Sequence, residues 1–299
     1  MVLENLFQLQ TVRKHPVFIL LQSFAISSIA IWIAFAIFPS SASIASLALT
    51  TIGLVPIIQS LLQKEEEEEV KSKKSTQGFF RRHFDLLQIF GWFFIGLSLS
   101  YTFWFLVLPD TTSTQCIGSF CADIPTKGKV FGEQLNTLNS IRGAFTAWNV
   151  QTACAQGSTL SCTEYIFTNN AVVLGLAIIL SFLLGAGAIF LLAWNASVLG
   201  VLFGQIGSAA KGVGLHAVLG SIIIDAVGRS SWALLEIGGY FLGVIAGGII
   251  SASIAHGDVG TPEFDQIVKD VILLIAVAFI LVLAGAYVES LCISKVVCG

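Results

Sequence analysis

The sequence predicts an all-α fold of the polytopic membrane type, with about six full transmembrane helices plus a broken or re-entrant hairpin. Three observations carry that prediction. Of the 299 residues 55% are hydrophobic and 11% charged, less than half of the roughly one quarter found in soluble domains. Mean hydropathy is +0.86. Uncharged apolar runs recur that reach the length of about 20 residues needed to cross a hydrocarbon core. So few charges cannot cover a soluble globule, which excludes a soluble enzyme and a disordered chain. A net charge of −3 and a pI of about 5.8 exclude a nucleic-acid binder, which needs a basic footprint.

The runs come in order. Residues 16–38 carry no charge and follow Arg13 and Lys14. This run outlasts the roughly 7–15-residue apolar stretch of a signal peptide, and a second run follows closely, so it is expected to be a retained anchor. Residues 42–63, 87–108 and 171–193 supply the second, third and fourth spans, with a fifth at about 232–255 and a sixth at 271–287. The segment 195–228 divides into two shorter apolar pieces, 196–206 and 213–227, and is expected to form the hairpin or two tilted half-spans. Seven or eight spans is the alternative count. The chain accordingly divides into an N-terminal three-span region (1–108) with a charged loop at 64–85, an extracytoplasmic Cys-containing loop (109–165), and a C-terminal membrane core (166–299).

Orientation follows from Lys and Arg in the short loops. Six of them (Lys64, Lys71, Lys73, Lys74, Arg81 and Arg82) crowd the 64–85 loop, against three (Lys127, Lys129 and Arg142) in residues 109–170. Both termini and the 64–85 loop are therefore expected in the cytoplasm, an even number of spans returning the carboxyl end to that side. Within the loop, Glu67 with Lys71 and Glu69 with Lys73 stand four apart in the favourable order, so the second span is expected to run on as a solvated helix.

The outer segment holds Cys116, Cys121, Cys154 and Cys162. An even cysteine number in an oxidising compartment favours disulfides, and three pairings remain open. Cys292 and Cys298 are expected as free thiols. Phe131, Leu135, Leu138, Ile141, Phe145 and Trp148 recur at near-helical steps, which predicts an amphipathic helix over 129–150. Glu133, Gln134, Asn136, Asn139 and Arg142 then form its polar face. Such a helix either packs as a lid on the spans or lies in the membrane interface.

Polar groups at membrane depth are costly and mark contacts or sites. Glu236 and Glu289 are the embedded carboxylates, and Glu236 is expected to face Asn195 or the hairpin. Asp225 and Arg229, four apart, are expected to pair. Asn169 and Asn170 are expected to cap the fourth span or bond across to a neighbour. Gly239, Gly243 and Gly247, and Gly200 with Gly204, have the four-residue spacing that lets helices approach closely. Gly185 and Gly187 either pack likewise or kink the fourth span. No catalytic, metal or cofactor motif is present in the sequence, and the expectation is a protein that is not an enzyme and takes no cofactor.

The run IFTNNAVVLGLAIILSFLLGAGAIFLLAWNASVLGVLFG resembles the signature of the stage II sporulation protein M family, in the form of an archaeal-type member. The positions that carry the resemblance are Asn169, Asn170, Gly185, Gly187, Asn195, Gly200 and Gly204. LLEIGGYFLGVIAGG is similar to the family's later acidic, Gly-rich span, with Glu236 at the acidic position, and GAYVES is similar to its closing element, with Glu289. Trp232-Ala233 departs from the family's His-Gly. The resemblance implies a non-enzymatic integral membrane protein, structural or scaffold in kind, linked to envelope remodelling and assembly. Expected partners are the lipid bilayer, a second copy in a homo-oligomer (a dimer through Gly-rich spans) and envelope proteins, but no nucleic acid. The alternative is a channel or transporter with a site at the broken hairpin near Glu236 and Asn195.

Overall fold

The computed structural model describes residues 17–71, 79–111, 114–117, 120–146, 154, 158–184, 188–229 and 231–293. The fold is all-α except for one small β-hairpin. Helices α1 (Val17–Ile37), α2 (Ala42–Lys71) and α3 (Phe79–Val107) precede strands β1 (Thr114–Ile117) and β2 (Phe120–Asp123) and the short helices α4 (Lys127–Val130) and α5 (Gly132–Thr146). Then come α6 (Thr159–Leu184), α7 (Ile189–Ala209), α8 (Leu215–Ile224), α9 (Ser231–His256) and α10 (Pro262–Ile293). Six of them are long and apolar enough to cross a membrane: α1, α3, α6, α7, α9 and α10. Their outward faces are as apolar as their cores, with Ile29, Ile33, Leu176, Ile179, Ile272 and Ile280 exposed. A helix apolar all round belongs in lipid or in a large core.

Six long spans were expected and six are found, but not the same six. The apolar part of α2, expected as a full span over 42–63, is shorter (Ala42–Ile58), and α7 takes its place. What was expected as one span over 171–193 is the lower half of α6 followed by the start of α7. The polar stretch TLSCTEYIFTNN is the first two to three turns of α6, a helix whose polar start hides it from a search for apolar runs. The re-entrant hairpin at 195–228 is likewise corrected. Residues 195–209 complete a full-length helix, and only 211–229, a tight turn, α8 and a wider π-type turn at Asp225–Arg229, is short. Gly214, with φ of +116°, joins that tight turn to α8, a conformation that glycine adopts without strain. Asp225 and Arg229 lie on the π-type turn; the Arg229 side chain, like Gly185 and Gly187, lies outside the described residues.

Neighbour contacts fix the direction of every helix. Gly96 of α3 abuts Leu20 of α1, and Trp104 Nε1 donates to Ser28 Oγ at 2.9 Å, so α1 and α3 run parallel. Ser98 Oγ donates to the Ala196 carbonyl at 3.1 Å and Thr102 Oγ1 to the Gly200 carbonyl at 3.0 Å, so α3 and α7 run parallel as well. Gly243 and Gly247 of α9 lie against Leu174, Ile178 and Ser181 of α6, also in parallel, and Gly239 lies against Ala278 and Val282 of antiparallel α10. At all of these glycines the missing Cβ is what allows the approach. These stripes are therefore filled from within the chain, and a second copy must use other surfaces.

With α2 returning antiparallel to α1, the chain traverses the bundle seven times. The end of α10 accordingly lies at the opposite end of the bundle from the end of α2. Thr163 Oγ1 lies 2.8 Å from Ser290 Oγ, and Cys162 and Ile166 pack with Ala286. The end of α10 thus shares one end of the bundle, called upper here, with the 109–158 segment. At the lower end α9 passes to α10 through Gly257 and Gly260, both at positive φ. Thr261 Oγ1 then accepts from Phe264 N–H ahead of Pro262, an N-cap followed by proline at the first helical position.

The upper segment packs down as a lid. Phe131 is fully buried against Tyr101 and Phe105, with ring centroids 5.8 and 5.6 Å away. The amphipathic helix is α5, which begins at Gly132 rather than 129 and is described as far as Thr146, and its polar face needs one correction: Gln134 is fully buried. Its Oε1 accepts from Ser43 Oγ at 2.5 Å and its Nε2 donates to Ser197 Oγ at 3.2 Å, tying the lid to α2 and α7. Lys127 Nζ bonds Asp110 Oδ1 at 2.8 Å and lies 5.2 Å from the centroid of the Phe105 ring.

Cys154 and Cys162, two of the four cysteines expected to pair, form a disulfide. Cys116 stands opposite Cys121 in the β-hairpin register. Cys292, expected as a free thiol, is disulfide-bonded, which corrects that reading; Cys298 lies outside the described residues.

Candidate functional site

The helices pack as two groups. In the first, α1 and α7 flank α3, and α2 packs on α1; in the second, α6 and α10 flank α9. They join chiefly where α9 meets α2 and α3, with Phe241 stacking near Phe90 and Phe94 at centroid distances of 5.9 and 5.8 Å. Above that aromatic seam α7 and α9 face each other across a cavity of about 340 Å³. Val198, Leu199 and Leu202 of α7 and Ile237 of α9 form its apolar walls, and Thr137 and Leu138 of the lid helix α5 reach its rim. Its polar groups are Asn170, Asn195, Glu236 and the tips of Trp194 and Tyr240.

Glu236 anchors this site. It stands five residues into α9, about 7.5 Å below the helix start at 1.5 Å per residue. Its Oε1 accepts a hydrogen bond of 2.6 Å from Asn170 Nδ2. On its other side α10 supplies Gly285, where a Cβ would come within 2.6 Å of Glu236 Cγ. Gly285 thus makes room for the acidic side chain. Glu289, one turn further along α10, is within electrostatic range of Glu236 and Tyr240.

The structure therefore brings together Asn170, Asn195, Glu236 and Glu289, which the sequence singled out, but with altered roles. Glu236 bonds Asn170, whereas Asn195 donates to the Leu191 carbonyl of its own helix at 2.8 Å and lines the cavity without meeting Glu236 directly. Asn169 and Asn170 sit in the middle of α6 and cap nothing; Asn169 is exposed. Gly200 and Gly204 are packing residues against Ser98, Tyr101 and Phe105. Sequence reasoning missed Gly285, although its place one turn before Glu289 was a usable signal. It also missed Thr137 and Tyr240, whose side chains reach the cavity from neighbouring turns of other elements. Comparison with protein-family models, with curated proteins and with solved structures finds no match to this chain.

Proposed function

We propose that the chain is a non-enzymatic, multi-pass membrane protein acting as a structural component in the assembly or remodelling of the cell envelope. The resemblance to the stage II sporulation protein M family points the same way. The observation that carries the reading is that Glu236, a carboxylate at membrane depth, is tied to a neighbouring helix. Glu236 is held between Asn170 and Gly285, and the aromatic seam of Phe90, Phe94 and Phe241 closes the bundle below it. Burying a carboxylate without partners is costly, and these contacts serve packing rather than passage.

In this reading the lower end, where α2 ends and α3 begins, faces the cytoplasm, because the sequence between them is rich in Lys and Arg. The 109–158 segment and the end of α10 then lie outside, where an oxidising compartment suits the disulfides of Cys154, Cys162 and Cys292. A tag placed after Gly299 is expected to be reached from outside intact cells; a tag reached only after permeabilisation reverses the orientation of the carboxyl end.

One observation favours a second reading, a transporter: the cavity between α7 and α9 ends on Glu236. Glu236→Gln in purified protein separates the two. The structural reading expects lower stability or assembly and no ion or solute flux in wild-type liposomes. Wild-type flux that the substitution abolishes would replace it with the transporter.

A further inference from the structure

The geometry points to the cavity between α7 and α9 as a binding site for an ammonium group carried on an apolar chain, with Glu236 as its counter-ion. This goes beyond the assembly reading and stands or falls separately from it. At about 340 Å³ the cavity falls within the usual size range of small-ligand sites. Among its described lining residues Glu236 is the one carboxylate, and none is Lys, Arg or His. Glu289, on the same side of α10 as Gly285, interacts electrostatically with Glu236.

A cation fits, and the donor set selects its kind. Calcium takes six to eight oxygen ligands and magnesium keeps several waters in an octahedral shell. Here a single carboxylate and two carboxamides face walls of Val198, Leu199, Leu202 and Ile237, and the described residues hold no cluster of three acidic, His or Cys side chains suited to a metal. An organic ammonium makes fewer demands. It has up to three donors. Asn170 occupies one oxygen of Glu236, which leaves the other for the ligand. Asn195 turns its amide nitrogen to the Leu191 carbonyl, so its oxygen is the half open to a donor. Trp194 and Tyr240 also line the cavity, and aromatic rings attract cations. The apolar walls then take the chain that carries the charge.

The ammonium has two sources, the headgroup of an amine lipid or a free alkylamine, and the experiment separates them. Purified full-length protein is titrated with dodecylammonium, with neutral dodecanol and with dodecyl sulfate in a mild detergent. It is also placed in nanodiscs of equal phosphatidylethanolamine and phosphatidylglycerol, and the lipid it retains is measured by native mass spectrometry. The expected result is preference for the ammonium probe, weakened about tenfold or more by Glu236→Gln, because a hydrogen bond to a charged partner is lost. Leu199→Trp, which fills the cavity and keeps the carboxylate, is expected to abolish binding; if Glu236→Gln fails to fold, this variant decides. Retention of phosphatidylethanolamine over phosphatidylglycerol assigns the site to lipid, and dodecylammonium binding without lipid preference assigns it to a free amine. Equal binding of dodecylammonium and dodecanol, or Leu199→Trp binding the ammonium probe like wild type, overturns the proposal.

Discussion

Substituting Gly200 by alanine tests the packing logic of the whole bundle. A Cβ there meets the Ser98 carbonyl oxygen at 2.6 Å and Tyr101 Cβ at 2.7 Å, whereas ordinary contact begins at 3.4 Å. The nearest obstacle is backbone, so α7 must retreat from α3 by about 0.8 Å, the difference between those distances. That retreat stretches the Ser98–Ala196 and Thr102–Gly200 hydrogen bonds, now 3.1 and 3.0 Å, past useful length. Overpacking costs about 1–3 kcal/mol, and the two interhelical bonds contribute about 0.6 kcal/mol each in membranes. Alanine returns about 1 kcal/mol of helix propensity. The net expectation is a loss of about 1–3 kcal/mol, read from reversible unfolding in mixed micelles by circular dichroism. Gly175→Ala is the matched control, since nothing lies within 4 Å of its Cβ position in α6; it is expected to stabilise by about 0.5–1 kcal/mol. If the two variants unfold within about 0.5 kcal/mol of each other, close backbone approach is not what holds α3 to α7.

Three further outcomes are expected. Removing the eight-residue Cys154–Cys162 bridge by Cys154→Ser costs about 2–3 kcal/mol on the chain-entropy account; non-reducing peptide mapping of the wild type should show the two peptides linked. Lys127 holds the Asp110 carboxyl below its ordinary value of 3.8, first by its hydrogen bond and then by its charge. A lowered folded-state value means that the pair's contribution is complete above the ordinary carboxylate range and is lost as pH falls through the lowered value. Protease resistance of the 109–146 segment should therefore drop at strongly acid pH, and Lys127→Met should remove that part of the acid dependence. Gln134→Leu should cost about 1–3 kcal/mol by leaving the Ser43 and Ser197 hydroxyls without their buried partner, seen as faster proteolysis of the lid.

Much of this fold was legible because hydrophobic runs and glycine spacing are direct consequences of solvent and close packing. The steps at Gly200, Gly204, Gly239, Gly243 and Gly247 marked true contacts. Hydropathy failed where helix and apolar run differ in extent. The polar start of α6 masked its true beginning, so the span was set too late and the next one, α7, was read as part of a hairpin. Gln134 looked like a surface residue because a single chain of letters does not show two serines, from α2 and α7, converging to satisfy it. Glu236 could be flagged as unusual from its setting alone. Its partner could not, since Asn170 lies 66 positions earlier and only parallel packing of α6 and α9 brings them together.

That α1, α3 and α7 lie side by side in the same direction has a consequence for biogenesis. The hydroxyls of Ser98 and Thr102 wait for carbonyls that lie 98 positions later in the chain. At translation speeds of about 5–20 residues per second, some 5–20 seconds separate the two seams leaving the ribosome. Throughout that interval Ser98 Oγ lacks its carbonyl acceptor on α7, while Thr102 Oγ1 has only the Ser98 carbonyl of its own helix. A nascent chain arrested before residue 189 therefore carries a half-built bundle, and membrane chaperones or proteases that read intramembrane hydroxyls have a window in which to engage it.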